Sequence, residues 1–153
     1  MKQLLTNLLI VASIFILGGC GAQKNVPKNA SITFQRTACY GTCPIYKMLV
    51  TSDGVVKFTG DRFTDMVGEW HKQLSKKETK ELFNSMASVN WEDYLKDYPS
   101  YVSDLPSTVL GFNYKKIEKE IVITGEHPKK LDEFTKQLQA IVDAEGWQNM
   151  NVK

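Results

Sequence analysis

The sequence predicts an α+β domain, a mostly antiparallel sheet of about five to six strands with two helices packed on one face. Three observations predict it. Short segments alternate apolar and polar residues with period two, these segments fold back on one another at turn dipeptides, and each group of them is followed by one stretch with apolar residues at helical spacing. The resulting order of strands, helix, hairpin and helix is the pattern that segregates helices to one side of an antiparallel sheet.

Ser31 to Thr37 places Ile32, Phe34 and Arg36 opposite Thr33, Gln35 and Thr37, a strand alternation. A second strand begins near Ile45, with Tyr46, Met48 and Val50 on one face and Ile45, Lys47 and Leu49 on the other. Asp53-Gly54 precedes Val55 to Phe58 and marks a hairpin, because that dipeptide tolerates positive φ. A further strand is expected over Asp65 to His71, with Gly60-Asp61 as its preceding turn and Gly68 weakening its ladder.

Ser75-Lys76-Lys77-Glu78 is a capping box: the serine hydroxyl accepts the amide three residues on while the glutamate reaches back to the serine amide. The helix it opens carries Leu82, Phe83, Met86 and Val89 on one stripe. Thr108 to Tyr114 and Ile117 to Thr124 then predict a second hairpin around Lys115-Lys116. The last helix has Pro128 at its first turn and Leu131, Phe134, Leu138, Ile141 and Val142 on one stripe. It is expected to stop at Gly146 in a Schellman ending with Trp147 following.

Ahead of this domain, Lys2 is followed by the apolar run Leu4 to Leu17, which closes in Leu17-Gly18-Gly19-Cys20. The run is shorter than the ~20 residues a spanning helix needs and ends in small residues, the design of a cleaved secretory signal. It resembles a bacterial lipoprotein signal. The resemblance implies that residues 1–19 are removed and that Cys20 becomes the acylated first residue of the mature chain. Residues 20–30 then form the lipidated cysteine and a polar, flexible tether, and residues 31–150 form one domain. The expected location is the bacterial cell envelope, lipid-anchored through Cys20, and Gly21 in place of an aspartate favours the outer membrane facing the periplasm. Acyl chains contribute about 0.8 kcal/mol per buried methylene, so several on one cysteine hold a domain at a bilayer without a spanning segment.

The whole chain has a formal charge of +2 with lysines and acids interspersed. No basic stripe suits a polyanion, so nucleic acid is not an expected partner. Beyond Cys20, two cysteines remain, Cys39 and Cys43, in Cys39-Tyr40-Gly41-Thr42-Cys43-Pro44. An envelope location permits a disulfide, and Gly41 with Pro44 bends the chain enough to bring the pair within bridging range. The preferred reading is a structural staple between the first two strands. The alternative is a thiol redox sensor, although the spacing is one residue longer than Cys-x-x-Cys and no helix follows to lower a thiol pKa. A zinc site lacks ligands, since His71 and His127 are distant and unpaired, so neither metal nor cofactor is expected.

Trp91 to Tyr101 followed by Asp104 is the one stretch dense in both aromatics and carboxylates. Trp91, Asp93, Tyr94 and Asp104 are therefore the candidate ligand-binding residues for a sugar or peptidoglycan fragment, with a hydrolytic acid pair as the catalytic variant. The competing reading buries the rings against the sheet and leaves the acids in water. No Gly-x-Ser-x-Gly elbow or phosphate-cradling loop occurs, and neither histidine has a partner fit for proton transfer, so no catalytic residue is assigned.

Arg36, the Cys39 to Pro44 segment, Tyr46, Asp53-Gly54, Gly60, Ser75-x-x-Glu78 and Ser103-Asp104-Leu105-Pro106 together resemble an uncharacterised bacterial envelope domain, number 6438 among the domains of unknown function. The resemblance spans Ile32 to Trp147 and implies one fold in a lipoprotein context, with no catalytic residues to carry over. The functional expectation is a non-enzymatic binding or assembly module whose partner is an envelope protein or a cell-wall component.

Overall fold

The computed structural model describes residues 26–150. Its strands are β1 (Ser31–Arg36), β2 (Ile45–Thr51), β3 (Val55–Arg62), β4 (Gly68–Gln73), β5 (Asp97–Tyr98), β6 (Thr108–Tyr114), β7 (Ile117–Ile123) and β8 (Gln148–Asn149). The helices are α1 (Lys76–Ala87) and α2 (Lys129–Asp143), with a 3-10 turn at Trp91–Asp93. All the strands join one sheet in the order β5-β7-β6-β1-β2-β3-β4-β8. Every pairing is antiparallel except that of β5 with β7. The class is the expected α+β, but the sheet has eight strands rather than five or six. The additional edge strands, β5 and β8, are two residues each, too short to carry a period.

Alternation along the strands decides which face is covered. Ile32 and Phe34 of β1, Met48 and Val50 of β2, Val56 and Phe58 of β3, Leu110 and Phe112 of β6 and Ile121 of β7 are buried on one face. Leu82, Phe83 and Met86 of α1 and Leu131, Phe134, Leu138 and Val142 of α2 are buried with them in a single core. Side chains of the other face, such as Lys47, Lys57 and Glu120, stay in water, the usual division of an antiparallel sheet.

The turns follow from local chemistry, with some departures from expectation. Ser52-Asp53-Gly54 closes β2 on β3 with Gly54 at φ 85°, the left-handed position of a three-residue hairpin loop. Gly60 and Asp61 are not a turn. They lie within β3, and Gly60 pairs with Gly68 at the start of β4. The reversal falls instead at residues 63–67, where Phe63 takes φ 58°. Gly60 is required for close approach, because a Cβ there would lie 1.9 Å from the Met66 carbonyl oxygen.

The capping box forms as read, with Glu78 N–H donating to Ser75 Oγ and Ser75 N–H donating to the Glu78 carboxylate. The Schellman ending of the last helix does not form. Helix α2 stops at Asp143, and Ala144 is extended. The reason is Lys72, whose ammonium donates to the carbonyls of Ile141 (2.6 Å) and Ala144 (3.3 Å), while the Trp147 indole donates to Val142. Lys72 from β4 and Trp147 from the segment after α2 satisfy the helix end, and Gly146 (φ 91°) turns the chain only afterwards.

Residues just ahead of Ser31 are also tied to the sheet. Ser52 binds the Lys28 carbonyl through its hydroxyl and the Ala30 carbonyl through its amide, and Ala30 is buried. Cys20 and residues 21–25 lie outside the described residues.

Candidate functional site

Register gives the sheet two distinct ends. At the proximal end, where the chain enters at Ser31, lie Thr51, Val55, Gln73 and the Tyr114–Ile117 turn. At the distal end lie Arg36, Ile45, Arg62, Gly68, Thr108 and Ile123. A six-residue strand separates the two by roughly 20 Å.

The loops at the distal end include residues 37–44, 63–67 and 99–107. The first contains the Cys39–Cys43 disulfide, with Cα atoms 5.7 Å apart. It is bound to the third through backbone. Tyr40 N–H donates to the Asp104 carbonyl (3.2 Å), Thr37 N–H to the Ser107 carbonyl (3.0 Å), and Ser107 N–H to Thr37 Oγ1 (2.8 Å). Below them the Arg36 guanidinium donates to Thr108 Oγ1 (2.6 Å). The cysteine segment and the Ser103 to Pro106 segment, remote in sequence, thus form one structure.

This end carries most of the exposed large apolar side chains among the described residues. Tyr40 is 91% exposed and Tyr101 fully so, and Phe63, Val67, Val102 and Leu105 are also exposed. Met150 lies beside Glu69 near the same end, which leaves Leu95 as the exposed large apolar residue elsewhere. Isolated exposed apolar side chains are ordinary, whereas six of them on the loops of one end are a concentration.

A cleft of about 470 Å³ adjoins these loops, lined by Pro44, Tyr46, Phe63 to Met66, Gln139, Val142 to Ala144 and Trp147. On its floor Tyr46 Oη donates to Gln139 Oε1 (2.6 Å), and Gln139 Nε2 donates to Asp143 Oδ1 (2.9 Å). Burial pushes the Tyr46 phenol above its ordinary pKa. The Arg36 charge and the Gln139 hydrogen bond oppose that rise, and the Asp143 charge adds to it. Behind the cleft Lys72 Nζ lies 4.6 Å from the Trp147 ring centroid. Burial lowers the Lys72 pKa, against the opposing charge of Glu78.

The Trp91, Asp93, Tyr94 and Asp104 set is not brought together. Trp91 is 2% exposed, stacked on Phe112 with centroids 4.0 Å apart and edge-on to Phe134, and its indole donates to the Met86 carbonyl. Its ring has no free face for a sugar. Tyr94 packs beside it, and Lys119 donates to the carbonyls of both Trp91 and Tyr94. Asp93 is exposed and accepts from Asn90, whereas Asp104 sits in the distal loop at φ 66°. Neither acid lines the cleft. His127 faces its own loop, with Nδ1 2.8 Å from the Gly125 carbonyl oxygen.

Sequence reasoning missed Phe63, Gln139 and Lys72. Gln139 and Lys72 read as ordinary polar positions, and no periodic signal distinguishes a buried lysine at an even strand position from an exposed one. Phe63 follows Arg62 at the point where β3 ends, and its exposure depends on where that strand stops.

The fold and the distal surface define a single-sheet α+β domain with a disulfide-closed loop and exposed apolar side chains at one end. A family model described as Domain of unknown function (DUF6438) matches residues 30–142, and the chain belongs to that family. No curated protein matches the chain.

Proposed function

We propose that this protein is a cell-envelope lipoprotein, anchored through acylated Cys20, whose domain is a non-enzymatic binding module that presents its distal end to an envelope partner. The observation that carries the reading is the concentration of exposed apolar side chains at the distal end: Tyr40, Tyr101, Val102 and Leu105 on two loops joined by backbone hydrogen bonds, one of them closed by a disulfide, with Phe63 and Val67 on a third loop. A surface held this way loses little conformational freedom on binding, which favours recognition.

The path of the chain supports the orientation. Only residues 21–25 separate Cys20 from the docked Val26 to Ala30 segment, and five residues reach at most ~18 Å. Acylation at Cys20 therefore keeps the proximal end near the bilayer and directs the distal end outward. Exposed Lys28, Lys76, Lys77, Lys115 and Lys116 lie at the proximal end, beside Asp53, Glu78 and Glu118, and lysines there suit an anionic lipid surface. The outer membrane, periplasmic side, is the proposed location.

The test has two parts. Intact-mass analysis of the protein extracted from membranes is expected to give an acylated chain beginning at Cys20, and Cys20→Ser is expected to leave the membrane fraction. Native electrophoresis of gently solubilised envelopes is expected to show a complex larger than the monomer. That complex is lost in Tyr40→Ser/Tyr101→Ser/Leu105→Ser and kept in Lys115→Ala/Lys116→Ala. A monomeric wild type, or a complex indifferent to the distal substitutions, contradicts the reading.

A further inference from the structure

The distal cleft has a specific chemical demand. Its interior polar groups largely satisfy one another: the Tyr46 hydroxyl is used on Gln139, and the Gln139 amide on Asp143. What remains is acceptor capacity on two exposed carboxylates. Asp143 accepts through one oxygen, and the Asp65 side chain has no hydrogen bond or ion pair in the described structure.

Among the described residues no cation forms an ion pair with either. Arg62 lies 3.4 Å from Asp61, Arg36 donates to Thr108, and Lys72 is buried behind Trp147 with its ammonium on helix carbonyls. Lys47 points to the opposite face of the sheet, in the register that places Tyr46 and Met48 in the core. The walls supply the complementary half. Phe63, Met66 and Trp147 give the cleft an aromatic and apolar lining beside its acids, and its volume lies within the range of small-ligand sites, roughly 300–1,000 Å³.

We propose that this cleft anchors a cationic side chain, arginine or lysine, projected by the partner polypeptide that the distal end binds. The aliphatic stem packs along the apolar wall, and the charged head is received by Asp65 and Asp143. Stems of this kind cover apolar surface while their heads stay polar, and guanidinium groups also stack on aromatic rings. An acidic partner segment is repelled by the same carboxylates. The inference rests on the binding-module reading and adds to it the charge and chemistry of the partner.

The test uses the full chain extracted in detergent and two capped peptides, acetyl-Ala-Arg-Phe-Ala-amide and its glutamate counterpart. The readouts are the nitrogen-15 resonances of the Trp147 indole and the Gln139 side-chain amide. The arginine peptide is expected to shift both saturably, at least fivefold more weakly in Asp65→Asn/Asp143→Asn and more weakly in high salt. The glutamate peptide is expected to shift neither, and Asp93→Asn, outside the cleft and the distal loops, is expected to bind as the wild type does. The Asp→Asn changes are isosteric and exposed, and an unchanged melting temperature establishes that they leave the fold intact. No saturable shift, equal shifts from both peptides, or indifference to the double substitution overturns the cationic anchor. If the envelope complex is still lost in the Tyr40, Tyr101 and Leu105 variant, only the anchor falls; if that complex is also absent, the binding-module reading falls with it.

Discussion

The Tyr40 amide donates to the Asp104 carbonyl across 3.2 Å, joining the disulfide loop to a loop more than sixty residues later in the chain. The bond holds Tyr40 exposed beside the loop that carries Tyr101 and Leu105. Asp104 adopts φ 66°, a conformation that aspartate tolerates better than most residues.

The first prediction concerns the staple. A Cys39–Cys43 ring constrains the unfolded chain by about 2 kcal/mol on the loop-entropy account. Cys39→Ser/Cys43→Ser is expected to lose about that much in urea unfolding. Amide exchange at Tyr40 is expected to accelerate, while the core amides of β1 remain protected. An unchanged midpoint with unchanged Tyr40 exchange would show that the loop is fixed without the disulfide.

Gly60→Ala tests the reversal at residues 63–67. Its added methyl would lie 1.9 Å from the Met66 carbonyl oxygen, a contact that only backbone movement can relieve. The expected cost is about 1–3 kcal/mol, the usual range for overpacking. Resonances of Phe63 to Val67 are expected to move. The matched comparison is Gly146→Ala, which meets nothing within 4 Å and bears only the cost of its positive φ.

Lys72 makes an alkaline prediction. Burial depresses its pKa in the folded state, so between that value and the unfolded pKa the unfolded chain holds more protons. Stability is therefore expected to gain from Lys72 as pH rises through that window. Tyr46 acts in the opposite sense, because its raised pKa lets the folded state keep its proton longer, and its contribution falls with rising pH above the unfolded tyrosine value. Subtracting the pH–stability curve of Lys72→Met from that of the wild type isolates the lysine. A difference curve that is flat or falls above pH 8 contradicts the assignment.

An acid-side prediction follows from the capping box. Hydrogen bonds from Ser75 hold the Glu78 carboxyl below its ordinary pKa. Its stabilisation is complete above the unfolded value and is lost as pH falls through the folded one. Glu78→Gln, which retains a capping side chain, is expected to remove that acid-dependent component. Ser75→Ala is expected to cost about 1 kcal/mol at neutral pH. Urea melts between pH 3 and 7 measure both.

Much of this architecture is legible in the sequence because it rests on local periodicity and cap chemistry. The alternation of Tyr46, Met48 and Val50, the Asp53-Gly54 turn, the Ser75 capping box and the Leu131 to Val142 stripe all lead to the observed elements. Reading failed where long-range contact overrides local signal. Gly60 reads as a turn residue but serves close approach, and Gly146 reads as a helix stop although Lys72 caps α2 from the sheet. The candidate site divides in the same way. Cys39 and Cys43 are visible from spacing and context, whereas the meeting of their loop with Asp104 depends on β1 pairing with β6, which no local pattern encodes. Trp91, conspicuous in sequence, is a core residue, and the exposed aromatics Tyr40 and Tyr101 lie in loops without periodicity.

The most direct measurement is site-specific photo-cross-linking in intact cells, with the reactive residue at position 101 in one strain and at position 115 in another. The account predicts a discrete protein adduct from position 101 and none from position 115. An adduct from position 115 alone, or none from either position, would contradict a distal binding end directed away from the membrane.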